Sequence, residues 1–273
     1  MSQPIIISIE GNIGAGKTTI VEKLQNKYRT NENIVFLKEP VGIWETITDK
    51  NGITILEKFY ENPDKYSFAF QVMAFATRSS TIKNAIKRNP NCEVIICERS
   101  LEADNNIFAK MLKDDNKIEE VEYQIYELFY NNSKDDIKLN GVVYIDSSPN
   151  VCLDRINKRN RTGENDIEYE YLKKCKDYHD NWLITNDEKN DLPVVRIDTN
   201  EDVSYVESNP NDKGMQWIES IMAFIAQLSK KNNISLKHPI ECEDATNKML
   251  GKEYLENKHY SSPPPIARLS SSN

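Results

Sequence analysis

The sequence predicts an α/β fold in which a five-stranded parallel sheet carries helices on both faces. Short runs of β-branched and other apolar residues recur five times, at residues 5–9, 34–37, 94–97, 142–145 and 194–197. Strands that are apolar throughout are typical of sheets covered on both faces, and such strands are usually parallel and joined by helical crossovers. The segments between the runs have the apolar spacing of amphipathic helices.

The helical segments follow from the spacing of apolar side chains and from one start signal. In the segment after the first strand, Ile20, Val21 and Leu24 form an apolar face. In the longer segment over residues 64–88, the apolar face is formed by Phe68, Val72, Phe75 and Ala76. Ser148 and Pro149 predict the start of a helix after the fourth strand, because serine is a good N-cap and proline fits the first helical position.

A last helix around residues 215–228 closes the predicted globular domain, which spans residues 1–229. Beyond it, residues 230–273 are polar, rich in Ser, Asn, Lys and Pro, and without a periodic apolar face. We expect them to form a disordered C-terminal tail. Residues 204–213 are similarly polar, and we expect a loop insertion there.

Composition excludes several classes of protein. The 273 residues include 35 Lys and Arg against 43 Asp and Glu, a net charge of −8, which argues against a surface that coats nucleic acid. No apolar run approaches the ~20 residues that cross a bilayer, and the first residues carry no secretory or mitochondrial leader pattern. The five cysteines are odd in number and lack a paired metal spacing, as expected of reduced thiols. We therefore expect a cytoplasmic protein that binds neither membranes nor nucleic acid.

A glycine-rich turn with the pattern G-x-x-x-x-G-K-[ST] joins the first strand to the first helix. The residues of this turn and the one after it are Gly11, Asn12, Ile13, Gly14, Ala15, Gly16, Lys17, Thr18 and Thr19. In a strand–turn–helix context, backbone N–H groups and the helix N-terminus wrap a phosphate. The lysine reaches the β- and γ-phosphates, and the threonine hydroxyl ligates Mg²⁺. The sequence therefore predicts a site for a nucleoside triphosphate with Mg²⁺.

Charged residues follow the later strands, at the edge of the sheet where ligands bind in such folds. Glu39 follows the second strand, and Glu98 and Arg99 follow the third. Three arginines lie on or just past the helix after the fourth strand, namely Arg155, Arg159 and Arg161. A carboxylate there can accept a proton from an attacking hydroxyl, and arginines can neutralise charge on a transferring phosphoryl group. Taken alone, each of these groups could equally be a solvated surface charge.

Together these motifs resemble the deoxyribonucleoside kinase family, which implies a P-loop kinase fold with an arginine-rich lid. The resemblance covers residues 5–224. It rests on the ordered segments Ile9-Glu10-Gly11-Asn12-Ile13, Glu39-Pro40-Val41 with Trp44, Tyr60-Glu61-Asn62-Pro63, Phe70-Gln71, Glu98-Arg99-Ser100, the arginine lid and Glu170-Tyr171-Leu172. The resemblance implies transfer of phosphate from ATP to the 5′-hydroxyl of a 2′-deoxyribonucleoside.

The resemblance also implies roles for the charged residues at the sheet edge. Glu39 is the implied general base toward the 5′-hydroxyl, and Arg99 holds that hydroxyl and the Glu39 carboxylate in register. Glu98 and Thr18 together hold Mg²⁺, and the three arginines close as a lid over the phosphates. The loop that contacts the donor base is matched by Glu201 and Asp202.

A pocket for the acceptor nucleoside is implied in the same way. Tyr60 and Glu170 bind the 3′-hydroxyl, although the neighbouring Glu168 could make that contact instead. Gln71 makes a bidentate contact with the base. The base slot is lined by Trp44, Phe70 and Phe108. Without the resemblance, these aromatic residues would be expected to be ordinary core residues.

Base preference is expected to depend on Arg78 and Asp104. At these positions the resemblance distinguishes members that accept deoxycytidine or purine deoxynucleosides from thymidine-accepting members, which carry apolar residues there. A polar pair at the end of the slot offers donors and an acceptor to the base and leaves little room for the thymine methyl. We therefore expect deoxycytidine, deoxyadenosine or deoxyguanosine to be preferred over thymidine, without a ranking among them.

The resulting hypothesis is a nucleotide-salvage enzyme that uses ATP and Mg²⁺ to phosphorylate deoxynucleosides, and that is a homodimer by family resemblance. Most of the acceleration is expected from charge neutralisation by Lys17, Arg99 and the lid, while Glu39 receives the proton. Two alternatives remain open. A nucleoside monophosphate kinase also pairs a P-loop with an arginine lid, and an inactive family member could serve as a structural subunit.

Overall fold

Five parallel strands form one sheet in the computed structural model, which describes residues 3–161, 164, 167–185 and 191–232. The strands are β1 (Ile5–Gly11), β2 (Ile34–Leu37), β3 (Val94–Glu98), β4 (Leu139–Asp146) and β5 (Val194–Asp198). Their order in space is β2-β3-β1-β4-β5, and every adjacent pair is parallel. The predicted sheet is therefore confirmed, and each predicted run lies within the strand found there.

Helices connect the strands and cover both faces of the sheet. They are α1 (Lys17–Lys27), α2 (Val41–Trp44), α3 (Ile55–Glu61), α4 (Pro63–Arg88), α5 (Leu101–Ala103), α6 (Lys110–Asp114), α7 (Glu120–Ser133), α8 (Pro149–Arg159), α9 (Tyr169–Asp180) and α10 (Lys213–Lys231). A π-helical stretch, Asp104–Ala109, joins α5 to α6, and a second one, Asn181–Thr185, follows α9. As predicted, α8 starts at Pro149, and the Ser148 side chain caps it by accepting from the Val151 N–H.

The strands are buried on both faces because successive side chains point to opposite sides and each side meets helices. On β1, Ile5, Ile7 and Ile9 pack with apolar residues of α1, α8 and α10. The alternate residue Ile6 packs on the other side with residues of α4, α6 and α7. This division of one strand between two core clusters explains why the run is apolar throughout.

The carboxyl ends of the strands meet at one edge, with β1 in the middle. The chain runs from β1 to β2 and β3 on one side and then crosses to β4 on the other, and ligands bind at such a change of direction in doubly wound sheets. Gly11, the last residue of β1, has a φ of 149°. A Cβ at Gly11 would lie 2.4 Å from the Ile145 carbonyl oxygen, so only glycine lets β1 turn here.

The C-terminal helix α10 packs its apolar face against the sheet. It ends at Lys231, close to the expected domain boundary at residue 229, which stays a prediction. The expected tail over residues 230–273 lies, from residue 233 onward, outside the described residues. Residues 204–212 are turns and irregular backbone, in line with the expected loop. None of the helices in the described part of the chain combines the length and apolarity of a membrane span.

Candidate active site

A cavity of about 670 Å³ opens at the carboxyl edge of the sheet, between the P-loop and the segments that follow β2 and β3. Nearly all the residues that the sequence analysis selected line it. The exceptions among them are Gly11, Asn12, Glu170 and its alternative Glu168. Predicted residues that are up to 189 positions apart in sequence, from Ile13 to Asp202, therefore meet in one site.

Hydrogen bonds of the Asn12 side chain hold the P-loop, residues 11–18, in place. The Asn12 side chain donates to the Leu172 carbonyl oxygen at 2.8 Å and accepts from the Ile13 N–H at 2.9 Å. Asn12 therefore anchors the loop to α9 instead of facing the cavity. The N-terminus of α1 begins directly at the loop, so its partial positive charge adds to the attraction for phosphate.

Lys17 is the first residue of α1 and is buried. Its ammonium group donates to the Asn12 carbonyl oxygen at 2.9 Å. Burial and the positive charge of Arg99 lower the pKa of Lys17 to about 8, while the carboxylates of Glu98 and Glu39 act in the opposite direction. A phosphate bound at the loop would also oppose the shift, because an anion favours the charged form of lysine.

The Thr18 hydroxyl and the Glu98 carboxylate form a small oxygen site beside the P-loop. The hydroxyl donates to Glu98 Oε1 at 2.7 Å. Among the described residues, no group of three or more His, Cys, Asp or Glu side chains could hold a metal ion. Mg²⁺ fits this donor set, because it prefers hard oxygen ligands and is usually held by one or two carboxylates together with substrate phosphates.

Glu39 lies just past β2 with its carboxylate between two arginines. Its Oε1 is 3.1 Å from Arg78 Nη2 and 3.3 Å from Arg99 Nε, and both arginine side chains are buried. Its backbone N–H donates to Glu98 Oε2 at 3.5 Å. Burial raises the pKa of Glu39, but the positive charges of Arg99 and Arg78 outweigh it, so the pKa lies below the usual value. The Glu39 carboxylate is therefore ionised at neutral pH.

Arg78 connects three acceptors at the same end of the cavity. Its Nε and Nη2 lie 2.9 and 3.3 Å from the two oxygens of Asp104, and its Nη1 donates to the Glu98 carbonyl oxygen at 3.0 Å. Burial raises the pKa of Asp104, and the Arg78 charge opposes that shift. The structure thus brings together the predicted pair, and it adds the direct contact of Arg78 with Glu39, which the sequence analysis did not predict.

Arg99 is held in a left-handed backbone conformation, with a φ of 66°, that is strained for arginine. Its N–H donates to the Ile9 carbonyl oxygen at 3.1 Å. The next residue, Ser100, donates its hydroxyl to the Glu10 carboxylate at 2.7 Å. The Arg99 guanidinium lies 4.5 Å from the centroid of the Phe108 ring, which stabilises both side chains. Contacts with the end of β1 therefore fix the arginine next to Glu39.

Aromatic rings form another wall of the cavity. Trp44 and Phe70 pack edge to face with centroids 5.5 Å apart, and Phe70 stacks on Phe59 at 4.6 Å. The Trp44 indole N–H donates to the Thr77 hydroxyl at 2.9 Å. The predicted Gln71 is buried and lines the cavity beside them. Phe59 was not predicted, because a phenylalanine on an amphipathic helix has no signal that separates it from the core.

The acid next to Tyr60 is not the one that the sequence predicted. Glu170 and Glu168 are exposed at the start of α9, and neither lines the cavity. Glu164 is buried in the cavity wall and accepts from Arg161 at 3.2 Å and from Arg159. Burial, and next the charge of Glu164, raise the pKa of Tyr60, so this phenol is protonated. The motif that suggested Glu170 lies at the start of α9, whereas the buried acid Glu164 lies three residues after Arg161.

Arg155 links the P-loop to the loop after β5. Its guanidinium donates to the Ala15 carbonyl oxygen at 3.4 Å and to the Glu201 carbonyl oxygen at 3.2 Å. It also pairs with the Asp202 carboxylate at 3.0 Å. All three lid arginines line the cavity, although Arg155 points toward the predicted donor-base loop and the other two toward Glu164.

A P-loop suited to a triphosphate and an ionised carboxylate in the same cavity define a P-loop kinase that acts on a small acceptor. Comparison with known proteins narrows the class. A sequence model of deoxynucleoside kinases matches residues 7–223. The chain belongs to the deoxynucleoside kinase family, and it is a deoxynucleoside kinase.

Curated relatives point to the same family. The chain is 33% identical over 224 residues to a probable deoxycytidine kinase of fowlpox virus (strain NVSL), covering 81% of this chain and 88% of the relative. It is 32% identical over 247 residues to the deoxycytidine kinase of Homo sapiens, covering 81% and 91%. It is 25% identical over 247 residues to the mitochondrial deoxyguanosine kinase of Xenopus laevis, covering 81% and 90%.

Family membership confirms the resemblance and the kinase prediction, and it argues against the nucleoside monophosphate kinase. The presence of Lys17, Glu39 and Arg99 in the cavity argues against an inactive family member. Family membership also implies ATP as the phosphate donor. The role of each site residue, Mg²⁺, the homodimer and the cytoplasmic location stay predictions.

Proposed function

We propose that this protein transfers the γ-phosphoryl group of ATP, with Mg²⁺, to the 5′-hydroxyl of deoxycytidine or a purine deoxynucleoside in preference to thymidine. The observation that carries the proposal is the Glu39 carboxylate, which lies 3.1 Å from Arg78 and 3.3 Å from Arg99 in the cavity that also contains the P-loop. An ionised acid fixed by two buried arginines is suited to orient a hydroxyl and receive its proton.

Glu39 acts as the general base. Its lowered pKa makes it a weak base for an alcohol in the ground state. That is sufficient for phosphoryl transfer through a loose transition state, in which the hydroxyl loses its proton late. Arg99 holds the Glu39 carboxylate in register with the reacting oxygen.

Phosphate binding and charge neutralisation come from the P-loop side. Lys17 contacts the β- and γ-phosphates, and binding of the anion keeps it protonated. Arg159 and Arg161 neutralise charge on the transferring group. Thr18 and Glu98 would hold Mg²⁺, which when bound neutralises charge on the β- and γ-phosphates.

Tyr60 and Glu164 bind the 3′-hydroxyl of the sugar, and Glu164 replaces Glu170 in this role. The Tyr60 phenol is protonated and donates a hydrogen bond, while the Glu164 carboxylate accepts one from the sugar. Because Glu164 also pairs with Arg159 and Arg161, the sugar contact is directly connected to the lid.

The base occupies the aromatic wall, with Gln71 at its edge and Arg78 and Asp104 at the end of the slot. Trp44, Phe70 and Phe108 supply apolar contact. The Arg78–Asp104 pair offers both donors and an acceptor, and a thymine methyl placed against it would leave buried polar groups unpaired.

The test is a direct assay of the wild-type protein with ATP, Mg²⁺ and each of the four deoxynucleosides, with the product identified by chromatography. We expect deoxynucleoside 5′-monophosphates, with the highest kcat/KM for deoxycytidine, deoxyadenosine or deoxyguanosine. The highest kcat/KM for thymidine would disprove the base preference. Phosphorylation of deoxynucleoside monophosphates alone would disprove the acceptor class.

The protein acts as a homodimer through an apolar face of α7. Val121, Ile125, Leu128 and Phe129 are 66, 39, 63 and 47% exposed, and their spacing places them on one side of the helix. Phe129 also lines a groove with Val72 of α4, so a protruding apolar row and a recess lie on the same surface. A surface that carries both can pair with a second copy of itself about a two-fold axis.

A further inference from the structure

Glu10, at the end of β1, is a buried acid that the proposed mechanism does not use. Its side chain is fully buried, and its Oε1 accepts from the Ser100 hydroxyl at 2.7 Å. Neither Glu10 nor Ser100 lines the cavity. Within the described part of the chain, Glu10 Oε2 has no hydrogen-bond partner. Buried polar atoms are nearly always paired, so an unpaired one in the core calls for a functional reason.

The Ser100 hydroxyl has a fixed direction. Its oxygen accepts from the Ala103 N–H at 3.1 Å and thereby caps α5. The single hydrogen of the hydroxyl is then left for Glu10, so the Glu10 carboxyl group is the acceptor in this contact. The hydrogen bond thus ties the end of β1 to the residue that directly follows Arg99.

The position of Arg99 depends on this link because the Arg99 backbone is strained. Its φ of 66° is left-handed, and such a conformation persists only where the surrounding structure enforces it. One hydrogen bond lies on each side of the strain: the Arg99 N–H donates to the Ile9 carbonyl oxygen at 3.1 Å, and Ser100 donates to Glu10. Without the second bond the turn can relax, which moves Arg99 Nε away from Glu39 Oε1, now 3.3 Å from it.

Burial disfavours a negative charge on Glu10. It raises the pKa of Glu10 to about 7, and the positive charge of Arg99 opposes the shift. A second acid lies close by on α5. Burial raises the pKa of Glu102 to about 7 as well, and the charge of Glu10 adds to that shift. Neighbouring buried carboxyl groups resist ionising together, so this pair keeps at least one proton at neutral pH.

The charge of Glu10 matters because Arg99 has a second donor group to offer. Arg99 Nη1 is buried and has no hydrogen-bond partner among the residues that the structure describes. A hydrogen bond to a charged acceptor is about twice as strong as one to a neutral acceptor. An ionised Glu10 would therefore compete with Glu39 for the guanidinium, whereas an uncharged Glu10 accepts from Ser100 and leaves Arg99 to Glu39.

We propose that Glu10 is a positioning residue, an uncharged acid that holds Arg99 in register with Glu39 through the Ser100 hydroxyl. This inference rests on the proposed function and adds to it a residue that lies outside the cavity. Glu10 acts on the chemical step alone, because it touches neither substrate.

The experiment compares the full-length wild type with Glu10→Leu and Glu10→Gln. Leucine is of similar size but offers Ser100 no acceptor, whereas glutamine is uncharged and keeps an acceptor oxygen. The control is Ile7→Val, because Ile7 is a fully buried core residue on the opposite face of the same strand. For each protein, kcat is measured in a single turnover, together with Ki for tripolyphosphate, which carries the phosphates of the donor alone.

For Glu10→Leu we expect kcat to fall by about 10²-fold, the scale of a displacement of about 1 Å at a reacting group. Ki for tripolyphosphate stays the same, and Glu10→Gln and Ile7→Val keep the kcat of the wild type. In an Arg99→Ala background, Glu10→Leu has no further effect, because Glu10 acts through Arg99. If Glu10→Leu does not fold, Ser100→Ala removes the same hydrogen bond and should lower kcat in the same way.

Three results would overturn the proposal. The first is an unchanged kcat in Glu10→Leu or, where that variant does not fold, in Ser100→Ala. The second is a rise in Ki for tripolyphosphate that matches the loss of kcat, because Glu10 then supports the P-loop. The third is a loss in Glu10→Gln as large as in Glu10→Leu, because the charge of the acid is then required.

Urea denaturation tests the uncharged acid without an assay of activity. Since the folded-state pKa of Glu10, about 7, lies above its ordinary 4.5, the wild type should lose stability relative to Glu10→Gln as pH rises from 4.5 to 7. We expect the midpoint urea concentration of the wild type to fall relative to that of Glu10→Gln between about pH 5 and about pH 8. Equal shifts in the two proteins would overturn the uncharged acid.

The difference between the two proteins reports Glu10 because the groups around it are the same in both. The charged and titratable groups that face Glu10 are Cys97 of β3, Arg99 just past β3, Glu102 of α5, Arg78 of α4 and Lys17 of α1. If the wild type phosphorylates no deoxynucleoside, the proposed function fails, whereas the denaturation experiment still decides the charge state of Glu10.

Discussion

Replacement of Glu39 by glutamine tests the catalytic base, because glutamine keeps the shape of the side chain and removes its charge. The amide oxygen can still accept from Arg78 Nη2 and Arg99 Nε, which lie 3.1 and 3.3 Å from the carboxylate oxygen in the wild type. The acceptor pocket should therefore keep its geometry. What is lost is the ability to take the proton from the 5′-hydroxyl.

The expected fall in kcat is about 10²- to 10⁴-fold, which is the contribution of a positioned general base. On the rate scale this corresponds to roughly 3–5.5 kcal/mol of activation free energy. The folded state loses the charge on two hydrogen bonds, at a cost of about 1 kcal/mol each in the free energy of unfolding. This decrease in the free energy of unfolding is small because the two arginines stay ordered and lose only their anionic partner. If the variant lost activity because it unfolds, the free energy of unfolding would decrease much more.

The assay is a single-turnover measurement by rapid quench with the preferred deoxynucleoside, because slow product release would hide a change in the chemical step. Urea denaturation of the same samples measures stability. Glu45→Gln is the matched control, since Glu45 is exposed at the end of α2 and does not line the cavity. A decrease below about threefold in the single-turnover rate would remove Glu39 from the role of base.

Three further predictions address other parts of the molecule. The folded-state pKa of Lys17, about 8, is below its ordinary 10.5, so its charge destabilises the fold at pH 7 and the penalty is relieved as pH rises from 8 to 10.5. Lys17→Met should therefore abolish phosphoryl transfer. In urea denaturation without nucleotide, it should nevertheless raise the free energy of unfolding at pH 7 by about 2 kcal/mol. A free energy of unfolding lower than that of the wild type would contradict this prediction. Asp104→Ala should lower kcat/KM for deoxycytidine or the purine deoxynucleosides relative to thymidine by about tenfold or more, because polar pairing at the base is lost; an unchanged ratio would exclude Asp104 from base recognition. Leu128→Glu should convert a dimer into a monomer in light scattering, and a wild type that is already monomeric would disprove the dimer.

The sheet was predictable because its strands are buried on both faces. A run such as Ile5-Ile6-Ile7 is divided between two core clusters and is therefore apolar throughout, and its short length and β-branched residues favour a strand over a helix. The P-loop was predictable for a related reason, since its spacing is dictated by backbone contact with phosphate. The burial of a strand and the spacing of the P-loop are both determined by neighbouring residues, so both can be recognised in a single sequence.

The remaining site depends on contacts between distant segments. The Glu164 carboxylate and the exposed Glu170 are both acids that follow the arginines, and only the tertiary structure separates them. The contact of Arg78 with Glu39 joins α4 to the end of β2 across 39 positions, and no local sequence pattern predicts it. Tyr205 belongs to a polar insertion, and whether it lines the cavity depends on how that insertion folds against Trp217 of α10.

Arg78 couples recognition of the base to catalysis. One guanidinium group binds Asp104 at the end of the base slot and Glu39 at the reacting end, and it is almost completely buried. If Asp104 is removed, the charge of Arg78 is balanced by Glu39 and the Glu98 carbonyl oxygen alone, which lowers the pKa of Glu39 further and makes it a weaker base. A change of base preference made at Asp104 alone should therefore also reduce kcat. Replacing Arg78 together with Asp104 removes the positive charge that lowers the pKa of Glu39, and the double variant should therefore retain more activity than the single Asp104 variant.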